Sequence, residues 1–365
     1  MIPLVDLRAQ YHSIKGDIDA AIQATLESGH FILGPAVGKF EESIASYLGV
    51  KHAIGLASGT DALVIALRAL DIGAGTEVIV PAYTFFATAG TVMSVGAKPV
   101  FVDVDPLSYQ IDVNKIGDAI TSKTRAIIPV HLYGHPADMD PILEIARAHH
   151  LKVVEDNAQG FGAEYKGIKT GSLGDIGCLS FFPTKNLGAF GDGGGAVTND
   201  DALADRMRML RTHGWRKKYY SEEVGYNSRL DALQAAILQV KLPYLDLWNE
   251  KRREISQRYS EQLEPVGIGV PVERAWGRHV YHLYVIRSSR RDELQAFLKQ
   301  KGIAAEVYYP LPPHLSMPCR KLGYKEGDFP HAELASCETL ALPLYPELTP
   351  SQQDEVVAAV KAFMG

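Results

Sequence analysis

HAIGLASGTDALVIALRAL, residues 52–70, sets a short apolar run directly before a Ser-Gly-Thr turn and a helix striped with Leu63, Ala66, Leu67 and Leu70. A strand that passes through a tight turn into a helix is the first half of a strand–helix–strand unit. The same alternation continues through EVIVP (77–81), KPVFVDVD (98–105), TRAIIPVHLY (124–133), LKVVED (151–156) and CLSFFP (178–183), with helical stretches between them. Apolar runs of this kind mark strands buried on both faces. The pattern predicts an α/β domain whose mixed, mostly parallel sheet is flanked by helices.

Working outward, two amphipathic helices are expected before that region. Ile14, Ile18, Ile22 and Leu26 line one before Gly29; Val37, Phe40, Ile44 and Leu48 line the other before Gly49. Beyond it, the helix after Arg229 carries Leu230, Leu233, Ile237 and Val240 and meets Pro243. A charged stretch with Trp248, Ile255 and Tyr259 then reads as a long connecting helix. The domain boundary is placed there, giving a large domain over 1–245 and a smaller C-terminal α+β domain over 246–365. YHLYVIR (281–287), a helix around Leu294 to Leu298, a stop at Gly302 and the run AAEVYYP (304–310) make up the latter. Proline-rich loops at Pro310, Pro312 and Pro313 and at Pro343, Pro346 and Pro350 mark its turns.

Composition narrows the function. The 365 residues are 46% hydrophobic with a formal net charge of −6, which disfavours nucleic acid as the main partner. No apolar run approaches the roughly 18 residues of a membrane span. The start, MIPLVDLRAQYHS, lacks a basic region followed by an apolar stretch, so a cytoplasmic address is expected. Cys178, Cys319 and Cys337 are scattered without metal-ligand spacing, so no metal site or disulfide framework is expected.

Three sites carry chemistry. Ser58-Gly59-Thr60 opens a helix, where free N–H groups and the dipole suit a phosphate, although the tripeptide alone also reads as a plain N-cap. LKVVEDNAQG (151–160) ends a strand in Glu155-Asp156-Asn157, at the edge where ligands gather in parallel sheets. Asp156 is a candidate to hold a pyridinium proton; strand-end carboxylates also act as caps, metal ligands and bases. In SFFPTKNLGAFGDGGGAVTND (180–200), Lys185 follows Phe181, Phe182 and Pro183, and an apolar setting favours the neutral amine that a Schiff-base lysine needs. Gly191, Gly193, Gly194 and Gly195 imitate a dinucleotide fingerprint. They lead into strand-like AVTND and not into a helix, which argues against a nicotinamide cofactor.

Five motifs in order, SGTDAL (58–63), PAYTFFATA (81–89), EDNAQG (155–160), SFFPTKNLGAFGDGG (180–194) and GYNSRLDALQAAIL (225–238), resemble those of the DegT/DnrJ/EryC1/StrS sugar aminotransferases. The resemblance implies a fold type I enzyme dependent on pyridoxal 5′-phosphate. It assigns Lys185 to the Schiff base, Asp156 to the pyridine nitrogen, and Gly59, Thr60 and Ser180 to the cofactor phosphate. Phe85 would stack on the ring and Gln159 would lie beside its phenolic oxygen. Asn227 would reach the phosphate from the neighbouring subunit of a homodimer with shared active sites, with Arg229 near the nucleotide diphosphate. Relatives that dehydrate sugars carry histidine at the lysine position; Lys185 opposes that outcome.

The reaction implied is transfer of an amino group from L-glutamate to a nucleotide-linked keto-sugar. NLGAFGDGG after Lys185, VHLYG (130–134) and HVYHLYVIR (279–287) resemble segments of enzymes that aminate C3 of dTDP-3-oxo-6-deoxyhexoses, which makes such a sugar the favoured acceptor. Amination of UDP-2-acetamido-3-oxo-glucuronate, with Tyr309 of the YYP loop at the substrate, is the alternative. A reading of a different class is a regulatory or binding protein that keeps the fold without catalysis.

Overall fold

The computed structural model describes residues 1–365. Three helices open the chain: α1 (Leu7–Ser13), α2 (Lys15–Ser28) and α3 (Pro35–Leu48). The sequence reading expected two. It missed α1 because that helix is short and buries only Gln10; its start is fixed by Asp6, whose carboxylate accepts the Arg8 and Ala9 N–H groups. Leu26 also departs from the expected stripe and is exposed.

Seven strands build the main sheet. They are β1 (His52–Leu56), β2 (Glu77–Pro81), β3 (Lys98–Val102), β4 (Thr124–Ile127), β5 (Lys152–Asp156), β6 (Ile176–Ser180) and β7 (Gly194–Thr198). Their order across the sheet is β1-β7-β6-β5-β4-β2-β3. Only β7 runs against its neighbours, pairing antiparallel with β1 and β6, while β6, β5, β4, β2 and β3 pair in parallel. The carboxyl ends of the other six strands therefore share one edge with the start of β7.

Both faces are covered. Helix α4 (Gly59–Ala69) buries Leu63, Ile65, Ala66 and Leu67 in the core that also holds Val78, Val80 and Val154. On the opposite face, Ile142 of α5 (Met139–Ala148) packs with Ile79, Ile127 and Val153. Phe40 and Ile44 of α3 meet Leu179, Val197 and Leu238 beside the β1-β7-β6 end.

A second core gathers Tyr259, Leu263, Tyr284, Leu294, Leu298 and Val360. Its sheet has two antiparallel strands, Tyr284–Arg287 and Thr339–Leu342. AAEVYYP is extended but is not a strand of that sheet: Glu306 makes one isolated bridge, to Ala341. The chain's first residues join this core, since Ile2 is buried in it and bridges Ile303. The helix Leu245–Leu263 crosses from one core to the other. No helix is long and apolar enough to cross a membrane.

Candidate active site

A cavity of about 430 Å³ opens at the carboxyl edge of the sheet. The turn between β1 and α4 supplies its first wall. Ser58 takes the Asp61 N–H on its Oγ at 3.1 Å and the Ala62 N–H on its carbonyl at 3.0 Å, which leaves the N–H groups of Gly59 and Thr60 free at the cavity. A side chain at Gly59 would put its Cβ 2.8 Å from Ser180 Cβ, so the β6 end is drawn against the helix start and Ser180 faces the same space. Gly194, at the start of β7, backs this turn from behind: a Cβ there would lie 2.5 Å from the Gly59 nitrogen. The glycine run after Lys185 thus serves close approach of backbones and leads into a strand, as expected.

The second wall comes from β5. Glu155 and Asp156 are neighbours with opposite duties. Glu155 is fully buried and points away, accepting the N–H groups of Gly171, Leu173 and Gly174 at 2.7 Å each and pairing with His131 Nε2 at 2.9 Å. This net fixes the strand end on the far side of the sheet. Asp156 lines the cavity. Thr88 Oγ1 donates to its Oδ2 at 2.8 Å and the Ala158 N–H to its Oδ1 at 3.2 Å. Burial pushes its carboxyl above the usual range, while the Thr88 and Ala158 donors and the charge of Lys185 pull the other way. Burial wins, which leaves a carboxylate poised to take a cationic N–H.

Lys185 stands on the floor between these walls. Its backbone N–H donates to Phe182 O at 2.8 Å, closing the turn that carries it out of β6. Burial lowers its amine to about 8, and the opposing pull of Asp156 does not offset that. Phe85 is 54% exposed at the mouth, its ring 5.6 Å from that of Tyr309. Gln159 takes the Tyr133 N–H at 2.7 Å and donates through Nε2 to the Tyr309 hydroxyl at 2.9 Å.

Eight of the ten residues expected at the site line this one cavity: Gly59, Thr60, Phe85, Asp156, Gln159, Ser180, Lys185 and Tyr309. Asn227 and Arg229 do not. They line a separate polar cavity with Asp231 and Gln234, which meets the first at Asp192. Sequence reasoning missed Thr88, which steadies Asp156, and Arg252 and His282, which line the cavity. For Arg252 a signal existed: it stands four residues from Trp248 and seven from Tyr259, on the buried stripe of its helix.

The donors fit pyridoxal phosphate group by group: a free helix start for a phosphate, a buried carboxylate for a ring nitrogen, and a lysine kept toward its neutral form for an aldehyde. With this sheet order, that places the protein among the fold type I pyridoxal phosphate-dependent transferases. The model of the DegT/DnrJ/EryC1/StrS aminotransferase family matches residues 12–361, and the chain belongs to that family. It is 52% identical, over 99% of its length and 98% of the relative's, to a "pleiotropic regulatory protein" of Geobacillus stearothermophilus. It is 45% identical to the dTDP-3-amino-3,4,6-trideoxy-alpha-D-glucose transaminase of Streptomyces venezuelae, over 99% and 96% of the two chains. It is 43% identical to the UDP-2-acetamido-2-deoxy-3-oxo-D-glucuronate aminotransferase of Pseudomonas aeruginosa, over 99% of each. The crystal structure of S. venezuelae DesV with a ketimine intermediate superposes with a TM-score of 0.97 at 45% identity, covering 100% and 98% of the chains.

Proposed function

We propose that the protein moves an amino group from L-glutamate to C3 of a nucleotide-linked keto-sugar, with a dTDP-3-oxo-6-deoxyhexose as the leading acceptor. The observation that carries this reading is the meeting of Lys185 and Asp156 in one cavity beside the Gly59–Ser180 cradle. Pyridoxal phosphate supplies the electron sink that lets a proton leave an amino acid's Cα.

The chain's residues do the rest. The α4 N-terminus with Thr60 and Ser180 would hold the phosphate, and Phe85 would offer its ring as a stacking face. Asp156 would hold the proton on the pyridine nitrogen. Lys185 would hold the cofactor's aldehyde carbon, and its free Nζ would take the proton from the donor's Cα as general base. Gln159 and Tyr309, joined by their hydrogen bond, bound the side where the sugar would enter.

Asn227 and Arg229 lie outside this cavity, and we assign them to the neighbouring subunit's site in a homodimer. The resemblance that placed them supports this, as does the exposed Tyr219, Tyr220 and Val224 of the segment just before them. A cytoplasmic address and two lobes dividing near residue 245 belong to the same reading.

The test is a panel of dTDP- and UDP-linked keto-sugars, each followed for glutamate-dependent amination by mass spectrometry. Amination of the dTDP 3-keto-sugar is expected to lead. A preference for UDP-2-acetamido-3-oxo-glucuronate would move the assignment toward the P. aeruginosa relative. A protein that binds no cofactor and aminates none of the panel would fit the regulatory reading.

A further inference from the structure

Arg252 is 3% exposed, in the middle of the helix Leu245–Leu263. The other two buried arginines each have a carboxylate, Arg211 with Glu41 and Arg291 with Asp292. Arg252 has none at ion-pair distance; the one carboxylate that acts on it is the more distant Glu347. A guanidinium taken out of water without a counter-ion is costly, so something else must account for its position.

Its hydrogen bonds show which edge is committed. Nη1 donates to the carbonyls of Leu344 at 3.1 Å and of Tyr281 and His282 at 3.4 Å each. Nε is sealed from solvent without an acceptor. Nη2 has no acceptor in the protein and is not sealed, and Arg252 lines the same cavity as Lys185. Its companions on that wall are Leu4, Val5, His282 and Leu344. The wall is apolar apart from Arg252 and His282, and the imidazole is held by Asn186 through Nδ1 at 3.2 Å. The phosphate cradle, at Gly59, Thr60 and Ser180, is built from other elements.

We propose that Arg252 is the anion anchor of the donor half-reaction, binding a carboxylate of the amino acid whose amine is delivered to Lys185. This rests on the aminotransferase reading and names the donor's contact within it. A carboxylate supplies the missing counter-charge, and a guanidinium edge within an apolar wall discriminates strongly between an acid and its neutral analogue. Arg252 Nη1 donates to the His282 carbonyl at 3.4 Å, and His282 lines the same cavity as Lys185.

The experiment uses the cofactor-loaded enzyme and follows the first half-reaction in single turnovers. Wild type is compared with Arg252→Gln and Arg252→Lys on L-glutamate, on 4-aminobutanoate, which lacks the α-carboxylate, and on L-2-aminobutanoate, which lacks the distal one. Loss of a charge-assisted bond predicts about a 10- to 100-fold rise in KM for glutamate in Arg252→Gln, with a smaller change in kcat and partial rescue in Arg252→Lys. The analogue for which wild type and Arg252→Gln no longer differ identifies which carboxylate is held. A second readout needs no turnover: glutarate, an amine-free dicarboxylate, should bind wild type by calorimetry and fail to bind Arg252→Gln. Should the Gln variant melt early, Leu4→Glu puts a competing carboxylate on the same wall and should weaken glutarate with Arg252 intact.

Unchanged glutamate discrimination and glutarate binding in well-folded variants would overturn the proposal, as would a KM effect confined to the keto-sugar. Either result leaves the aminotransferase reading in place. That reading fails separately, if wild type converts no donor at all.

Discussion

Replacing Asp156 by Asn should stabilise the cofactor-free protein while disabling the loaded enzyme. The carboxyl of Asp156 is held above its usual range because burial outweighs the help of Thr88, the Ala158 N–H and Lys185. The charge is therefore a net burden on the fold until a cation arrives. An asparagine fits the same bonds. Its oxygen can accept the Ala158 N–H, and its amide can donate to Thr88 Oγ1, whose proton then turns to Thr84 Oγ1 at 3.1 Å. Taking one carboxylate out of water costs on the order of several kcal/mol, which the neutral amide escapes in part. Losing the charge from two hydrogen bonds costs about 0.5–1 kcal/mol each. The balance is a stabilisation on the order of 1 kcal/mol.

The sign depends on pH. Asp156 titrates higher in the folded chain than in the unfolded one, so between those two values the native state binds more protons and wild-type stability falls as pH rises. The variant's advantage should be absent below the ordinary carboxylate range and complete above the folded-state value. The assay is urea denaturation of cofactor-free wild type and Asp156→Asn at acidic and alkaline pH, beside turnover of the loaded enzymes. Turnover should fall by about 10²–10³, the usual cost of losing one well-placed charge-stabilising group. A variant destabilised equally at both pH values would refute the reasoning, because hydrogen bonding would then dominate over burial.

Three further outcomes follow from the site. Lys185→Ala should remove turnover and the borohydride-fixable bond to the cofactor; in wild type, covalent capture of added cofactor by the cofactor-free protein should accelerate with pH and level off above about 8, where the amine is neutral. Gly194→Ala should cost about 1–3 kcal/mol in thermal melts and weaken cofactor binding, since its Cβ would press on the Ser58–Gly59 backbone that presents the phosphate cradle. Mixing inactive Lys185→Ala with inactive Arg229→Ala under subunit exchange should restore about one quarter of wild-type activity if sites are shared between subunits, and none if both residues serve one chain's site.

The parts of the fold legible in the sequence were those where one physical demand acts alone. Strands such as EVIVP are buried along their whole length and can read only as apolar runs. The Ser58–Thr60 turn and the residues after CLSFFP stood out because a strand end meets a helix or a polar residue in apolar company. AAEVYYP told less, because an extended run does not reveal whether a partner lies beside it, and here one bridge joins Glu306 to Ala341. The partner of Tyr284–Arg287 is Thr339–Leu342, four residues between a helix and a proline loop. Arg252 stayed hidden among NEKRRE, where composition reports a solvated face and only the buried spacing of its helix says otherwise.

Lys185 and Asp156 illustrate why such sites resist reading from composition and yield to geometry. Burial in the walls of one cavity pushes the lysine down to about 8 and the carboxyl up. Each is drawn toward neutrality, yet they do not simply pair: no ion pair joins them, and Asp156 is tied instead to Thr88 and Ala158. Had they paired, the amine would be held as ammonium and the carboxylate would be closed to any other cation. Keeping them apart in one low-dielectric space leaves a nucleophile and an anion available together, near neutral pH, for the two ends of a single ring. Thr88 is central to that separation. A Thr88→Val exchange should therefore raise the Asp156 carboxyl further and weaken its hold on a ring nitrogen, with Lys185 still in place, and the absorbance pH profile of the loaded enzyme is where that change would be read.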